Sequence, residues 1–181
     1  MTRDLFILLF SALILASCSP SAAKKAAEIE KLENELKESG RKNIADTAKV
    51  KELMNDYRYY VSKFPDDSLT PVYLMKEGKF YDFTSRPDSA LACYSQVYTR
   101  FPAYPKANLA LFSQAFIWGN EKHDLTKAKA IYEEYLTKYP NTKLANSAKL
   151  ELDNLGKTPD QIMAELDSLK KVHRDTVYRK P

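Results

Sequence analysis

Apolar residues recur every three or four positions along most of this chain, and three of these runs stop at a proline. Ala90, Ala92, Tyr94, Val97, Tyr98 and Phe101 precede Pro102, and Ala128, Ala130, Tyr132, Tyr135, Leu136 and Tyr139 precede Pro140. A weaker copy, Leu53, Tyr57, Tyr60, Val61 and Phe64, precedes Pro65. That spacing gathers apolar side chains on one face of a helix. The proline, which lacks an N–H and clashes with the preceding turn, ends it. Partner runs lie between: residues 71–83 carry Val72, Leu74, Met75, Gly78 and Tyr81, and residues 105–118 carry Leu109, Leu111, Phe112, Ala115, Phe116 and Trp118. Thr70-Pro71 sets a capping hydroxyl before a proline suited to the first helical position. Gly78 aligns with Ala115, and small residues at both points let two helices approach closely. Gly40, Gly119 and Gly156 each follow a helical run, as glycines just past a helix end do. No stretch alternates with period two, so the predicted fold class is all-α.

Both ends of the chain add helices. Residues 22–38 are amphipathic, with Ile29, Leu32 and Leu36 on one stripe and a Glu33–Lys37 pair one turn apart. They are either the first helix of a repeat, paired with residues 46–64, or a short coiled coil that oligomerises the protein. A stable coiled coil needs three or four heptads and about two are present, which favours the first reading. Residues 141–155 supply a further helix with Leu144, Ala148 and Leu152. Thr158-Pro159-Asp160-Gln161 then reads as a capping box. It opens a last helix, residues 158–173, expected to turn Ile162, Leu166 and Leu169 inward as a terminal cap. Residues 174–181 read as a flexible basic tail.

The pairs Phe64-Pro65, Phe101-Pro102 and Tyr139-Pro140 recur at spacings of 37 and 38 residues. A helix-turn-helix unit of about 34 residues closed by proline resembles the tetratricopeptide repeat. Gly78, Tyr81, Ala90 and Tyr94 fall on that motif's small and aromatic sites, and Ala115, Trp118, Ala128, Tyr132 and Pro140 repeat the pattern. The chain departs from the motif by one extra residue in the loop 119–127 and by longer links between units. Val97 and Tyr135 replace an alanine, which implies looser local packing. The resemblance covers roughly residues 42–157. It implies a short right-handed α-solenoid of about three helix-turn-helix repeats over residues 24–157, plus the C-terminal capping helix. In that architecture the first helix of each repeat lines a concave groove. The expected groove residues are Val72, Met75 and Lys79, then Leu109, Phe112 and Phe116. Phe112 and Phe116, one turn apart, are either anchors for a partner's apolar side chains or packing between helices.

The N-terminus supplies a different signal. Residues 5–15 are an apolar run too short to span a bilayer, which needs about 20 residues, and of a length that suits an export signal. The run closes with Leu15-Ala16-Ser17-Cys18, which resembles the lipobox of bacterial lipoproteins. The resemblance implies that residues 1–17 are a signal peptide and that Cys18 is lipidated. Residues 18–23 would then be a tether, and two or three acyl chains, at about 0.8 kcal/mol per buried methylene, would hold the protein on a membrane. Residues 19–25 carry no acid after the cysteine, which points to the periplasmic face of the outer membrane.

Composition then removes alternatives. A net charge of +4 is mild for 181 residues, and no compact Lys/Arg block marks a nucleic-acid partner. Only four Gly occur, which argues against phosphate-cradling loops and nucleophile elbows. His123 and His173 have no ligand three or four residues away, and Cys93 stands alone, so no metal site is expected. Asp66-Asp67 and Glu133-Glu134 read as solvated surface, and Cys93 as a small core residue. The chain is therefore expected to be no enzyme and to need no cofactor. A lipobox joined to such repeats resembles the outer-membrane assembly lipoproteins of the BamD (YfiO) type. Ala130-Ile131-Tyr132-Glu133-Glu134-Tyr135-Leu136, running to Lys138-Tyr139-Pro140, resembles that family's second helices. The family typically has five repeats, against about three here. The resemblance implies a lipid-anchored periplasmic scaffold, monomeric or part of a hetero-complex, that holds envelope protein or peptide segments, with outer-membrane protein assembly as its most specific version. The alternative is an oligomeric organiser of the cell envelope or of division, using residues 22–38 as a coiled coil.

Overall fold

A computed structural model describes residues 20–41 and 46–178. Cys18 and the apolar N-terminal run lie outside the described residues. Those described form eight α-helices and no strand: α1 Ala22–Arg41, α2 Thr47–Lys63, α3 Thr70–Phe83, α4 Pro87–Arg100, α5 Ala107–Asn120, α6 Leu125–Lys138, α7 Lys143–Asn154 and α8 Pro159–Tyr178. The protein is all-α. It divides into two compact units, Met1–Leu69 and Thr70–Pro181.

In the first unit α1 packs along α2. Ile29 and Leu32 on its apolar stripe are buried. Polar pairs flank them: Lys25 Nζ lies 2.6 Å from Asp56, Lys49 Nζ 2.8 Å from Glu35, and the Tyr57 hydroxyl donates to Glu33 at 2.7 Å. The stripe of residues 22–38 thus packs within one molecule, as a partner for α2. Asp46 starts α2 by accepting the Lys49 N–H at 3.0 Å, satisfying a donor that the first turn leaves open.

In the second unit each helix packs on the next from α3 to α7, and α5 also lies against α7. Its core alternates large and small side chains. Tyr94, Val97, Ile117, Tyr132 and Tyr135 are fully buried beside Ala90, Ala110, Ala115, Ala128 and Ala148. Removing each large side chain from water is worth about 1.5–3 kcal/mol. Val97 and Tyr135 are closely packed, against the looser packing expected from the motif. The Tyr135 ring meets Phe112 edge-on with centroids 5.9 Å apart.

One turn recurs three times. Phe64, Phe101 and Tyr139 cap α2, α4 and α6 with φ/ψ of −126/56, −126/56 and −130/47. Each donates its N–H to the carbonyl four residues back. Each of their carbonyls accepts the N–H three residues on, from Asp67, Tyr104 and Thr142. In two copies a tyrosine one turn before the cap clamps the turn. Tyr60 donates to Asp67 at 2.8 Å, and the Tyr135 and Thr142 hydroxyls lie 2.7 Å apart. The middle copy has Val97 at the corresponding position. The loops inside the helix pairs also match: Ser85 and His123 share φ of 54° and directly precede the caps Arg86 and Asp124. The Arg86 N–H reaches the Tyr81 carbonyl and the Asp124 N–H that of Trp118, so the extra residue of the second loop is absorbed there.

Three local expectations need correcting. Gly119 lies buried inside α5, not beyond it, and a Cβ there would stand 3.4 Å from Ala128 Cβ and 3.2 Å from Leu155 Cδ1. Gly40 lies within α1. Only Gly156, at φ 79°, takes the left-handed conformation past a helix end. At the last helix the capping box forms, with Thr158 N–H on Gln161 Oε1 at 2.8 Å and Gln161 N–H on Thr158 Oγ1 at 3.3 Å. The inward face does not follow. Ile162 is half-buried, but Leu166 and Leu169 are 44 and 59 % exposed, and α8 is not among the helices that pack closely on a neighbour. The box is made of local hydrogen bonds, which start a helix without choosing the face that meets the core.

Candidate partner-binding face

α3 and α5 are equivalent elements 37 residues apart, so Val72, Met75 and Lys79 correspond to Leu109, Phe112 and Phe116. The structure divides these six residues. Met75 is buried, and Phe112 is half-buried with its ring edge-on to Tyr132, centroids 5.6 Å apart, and to Tyr135. Met75 is thus out of solvent, and Phe112 packs against α6, one of the two roles read for it from the sequence. Val72 and Leu109 are half-buried. Lys79 and Phe116 are exposed. α3 and α5 are not among the closely packed helix pairs; α4 lies against both.

Two further residues belong with the exposed pair. Phe83, one turn beyond Lys79 on α3, is 89 % exposed, and Leu150 on α7 is also exposed. Leu150 stands 38 residues after Phe112, so it is the α7 counterpart of Met75 and Phe112. Both were accessible to the same four-residue step and repeat offset that picked out the others. Single exposed apolar residues are ordinary. Here Phe83, Phe116 and Leu150 fall on alternate helices, and Lys79 lies one turn before Phe83.

The charged groups of the second unit serve to fasten helices. The Tyr98 hydroxyl donates to Glu134 at 2.6 Å, and Lys138 Nζ sits 2.7 Å from Glu134 and 2.5 Å from the Tyr98 oxygen. The Lys138 ammonium, then the Tyr98 hydroxyl, hold the Glu134 carboxyl below its usual range. This group ties α4 to α6. At the other end of the helix pairs, partial burial and then the hydrogen bond and charge of Asp82 raise Glu121. A bond between two carboxyl groups requires one of them to be protonated.

One reactive group is held out of play. Cys93 is buried, and burial, then the nearby Glu77 charge, push its thiol up to about 12, so it carries almost no nucleophilic thiolate at neutral pH. His123 opens onto a cleft of about 510 Å³ shared with Glu151, Asn154 and Lys157. Among the described residues no three His, Cys, Asp or Glu side chains are placed to hold a metal ion, and no helix is long and apolar enough to cross a membrane. No protein-family model matches this chain, and no curated protein matches it as a relative.

Proposed function

We propose that the protein is a lipid-anchored scaffold of the bacterial cell envelope, whose tetratricopeptide-like helix pairs hold segments of other envelope proteins on the solvent face of α3, α5 and α7. The observation that carries this reading is the repetition of one local geometry: three helix caps with nearly the same backbone angles at Phe64, Phe101 and Tyr139. Within the second unit, helix pairs joined by the same turn, as α3–α4 is to α5–α6 at Phe101, are what a tetratricopeptide-like repeat requires. Phe83, Phe116 and Leu150 suit apolar side chains of a peptide, and Lys79 an acidic one. Anchoring at Cys18 rests on Leu15-Ala16-Ser17-Cys18, and the periplasmic face of the outer membrane on the lack of an acid in residues 19–25. Outer-membrane protein assembly is the most specific form of the proposal. The burial of Ile29 and Leu32 along α2 supports a repeat helix over an oligomerising coiled coil.

The test is photo-crosslinking in living cells from position 116, with position 112 as the control. Adducts from Phe116 and none from Phe112 are expected, and mass spectrometry names the captured protein. A β-barrel or its assembly machinery supports the assembly form, whereas division or peptidoglycan proteins favour the organiser. No adduct from either position, with the protein still in the membrane fraction, rejects the binding face. Cys18→Ala is expected to release the protein from that fraction, and unchanged membrane retention refutes the anchor.

A further inference from the structure

The last helix is amphipathic, yet it packs closely on no other helix. Met163, Leu166, Leu169 and Val172 are each about half exposed or more, and with Ile162 they recur at steps of three and four, forming one stripe. The charges along α8 are largely sorted by sign. Asp160, Glu165 and Asp167 occupy its first half, and Lys170, Lys171 and Arg174 lead its second, ahead of a single acid, Asp175; the first six are exposed.

We propose that α8 is a self-association surface, pairing antiparallel with α8 of a second copy of this chain along that stripe. Turned end for end, the acidic half of one helix meets the basic half of the other, whereas a parallel pair would set like charges side by side. The two helix dipoles also oppose one another in the antiparallel arrangement. The contact is isologous, so one two-fold axis closes it as a dimer. A membrane surface fits the same helix less well, because four acids against three bases give no net attraction to anionic headgroups. The ion pairs now made by Glu165 with Lys157 at 2.5 Å and by Lys170 with Asp167 at 3.3 Å are exposed. Exposed pairs of this kind exchange for intermolecular partners at little cost. The stripe spans only about two heptads, so the dimer is concentration-dependent rather than permanent. This inference is independent of the scaffold proposal, since it involves no groove residue.

Sedimentation equilibrium of the full chain in detergent tests it. A monomer–dimer equilibrium is expected, lost in the variant Leu166→Glu/Leu169→Glu, whose changes fall on exposed positions and leave the helical circular dichroism intact. Two further variants separate charge from shape: Lys170→Glu/Lys171→Glu/Arg174→Glu makes α8 wholly acidic, and Asp160→Lys/Glu165→Lys/Asp167→Lys/Asp175→Lys makes it wholly basic. Each alone should be monomeric, and an equimolar mixture should recover the dimer. A wild-type chain that stays monomeric overturns the proposal, whether or not it binds lipid vesicles. So does a dimer that survives Leu166→Glu/Leu169→Glu, or a mixture that fails to recover one.

Discussion

Gly78 and Tyr94 are in contact across α3 and α4: a Cβ built on Gly78 would stand 2.7 Å from Tyr94 Cε1, closer than carbon atoms approach. The Tyr94 ring is buried, so it has little room to yield. Gly78→Ala gains about 1 kcal/mol of helix propensity and loses about 1–3 kcal/mol to overpacking. The expected result is a net loss of up to about 2 kcal/mol in urea unfolding. A variant as stable as the parent would mean that α3 and α4 can separate at this point.

Tyr132 and Tyr135 lie one turn apart on α6, both fully buried, and differ in what their hydroxyls find. The Tyr135 oxygen is bonded to Thr142, whereas the Tyr132 hydroxyl has no partner among the described residues. Removing a bonded hydroxyl costs about 0.5–1.5 kcal/mol, whereas removing an unsatisfied one recovers its desolvation penalty. Tyr135→Phe should therefore lower the stability and Tyr132→Phe should raise it by about 1 kcal/mol. Destabilisation by Tyr132→Phe in thermal melts would show that the hydroxyl holds a buried water.

Glu121 and Glu134 should give opposite pH dependences. The Glu121 pKa is raised above 4.5 in the folded state, so its contribution is full below that value and is lost as pH rises through the raised one. Glu121→Gln should thus be the more stable protein near neutrality and equal to the parent in acid. The Glu134 pKa is lowered, so its contribution is present above 4.5 and lost as pH falls through the depressed value. Glu134→Gln should be less stable at neutral pH, and the difference should vanish in acid. Both groups are largely solvated, so each effect is about a few tenths of a kcal/mol. Tm measured from about pH 3 to pH 7 checks the signs.

Phe112 and Phe116 separate packing from recognition. Phe112→Ala removes a half-buried ring from its contacts with Tyr132 and Tyr135 and should cost about 2–3 kcal/mol, somewhat less than a fully buried phenylalanine. Phe116→Ala, at an exposed site, should leave Tm within experimental error and still abolish partner capture. Equal destabilisation by the two would return both rings to the core.

Much of the fold was legible because it rests on local chemistry. The prolines after Phe64, Phe101 and Tyr139 ended α2, α4 and α6 where expected, and the box at Thr158 and Gln161 formed as read. Gly78 beside Tyr94 confirmed the close approach that its alignment with Ala115 implied. The candidate face was legible only in part. A step of three or four residues places Met75, Phe112 and Phe116 on one stripe, but a helix in a stack buries more than one stripe. Met75 and Phe112 turn toward neighbouring helices, while Phe116, Phe83 and Leu150 stay in water.

The sequence by itself determined which segments are helical, where those bounded by proline or a capping box start or stop, and that the turns repeat, because capping hydrogen bonds, proline and apolar spacing act within about one helical turn. Gly40 and Gly119, read as helix ends, lie inside α1 and α5. The reading of Leu15-Ala16-Ser17-Cys18 as an export signal likewise rests on adjacent residues alone. The tertiary structure decided which apolar faces are satisfied inside the molecule. It paired α1 with α2, set the half-buried Phe112 ring against Tyr132 and Tyr135, set Gly119 against Ala128 and left the stripe of α8 exposed. Burial depends on which elements meet in space, and no spacing along a single helix encodes that.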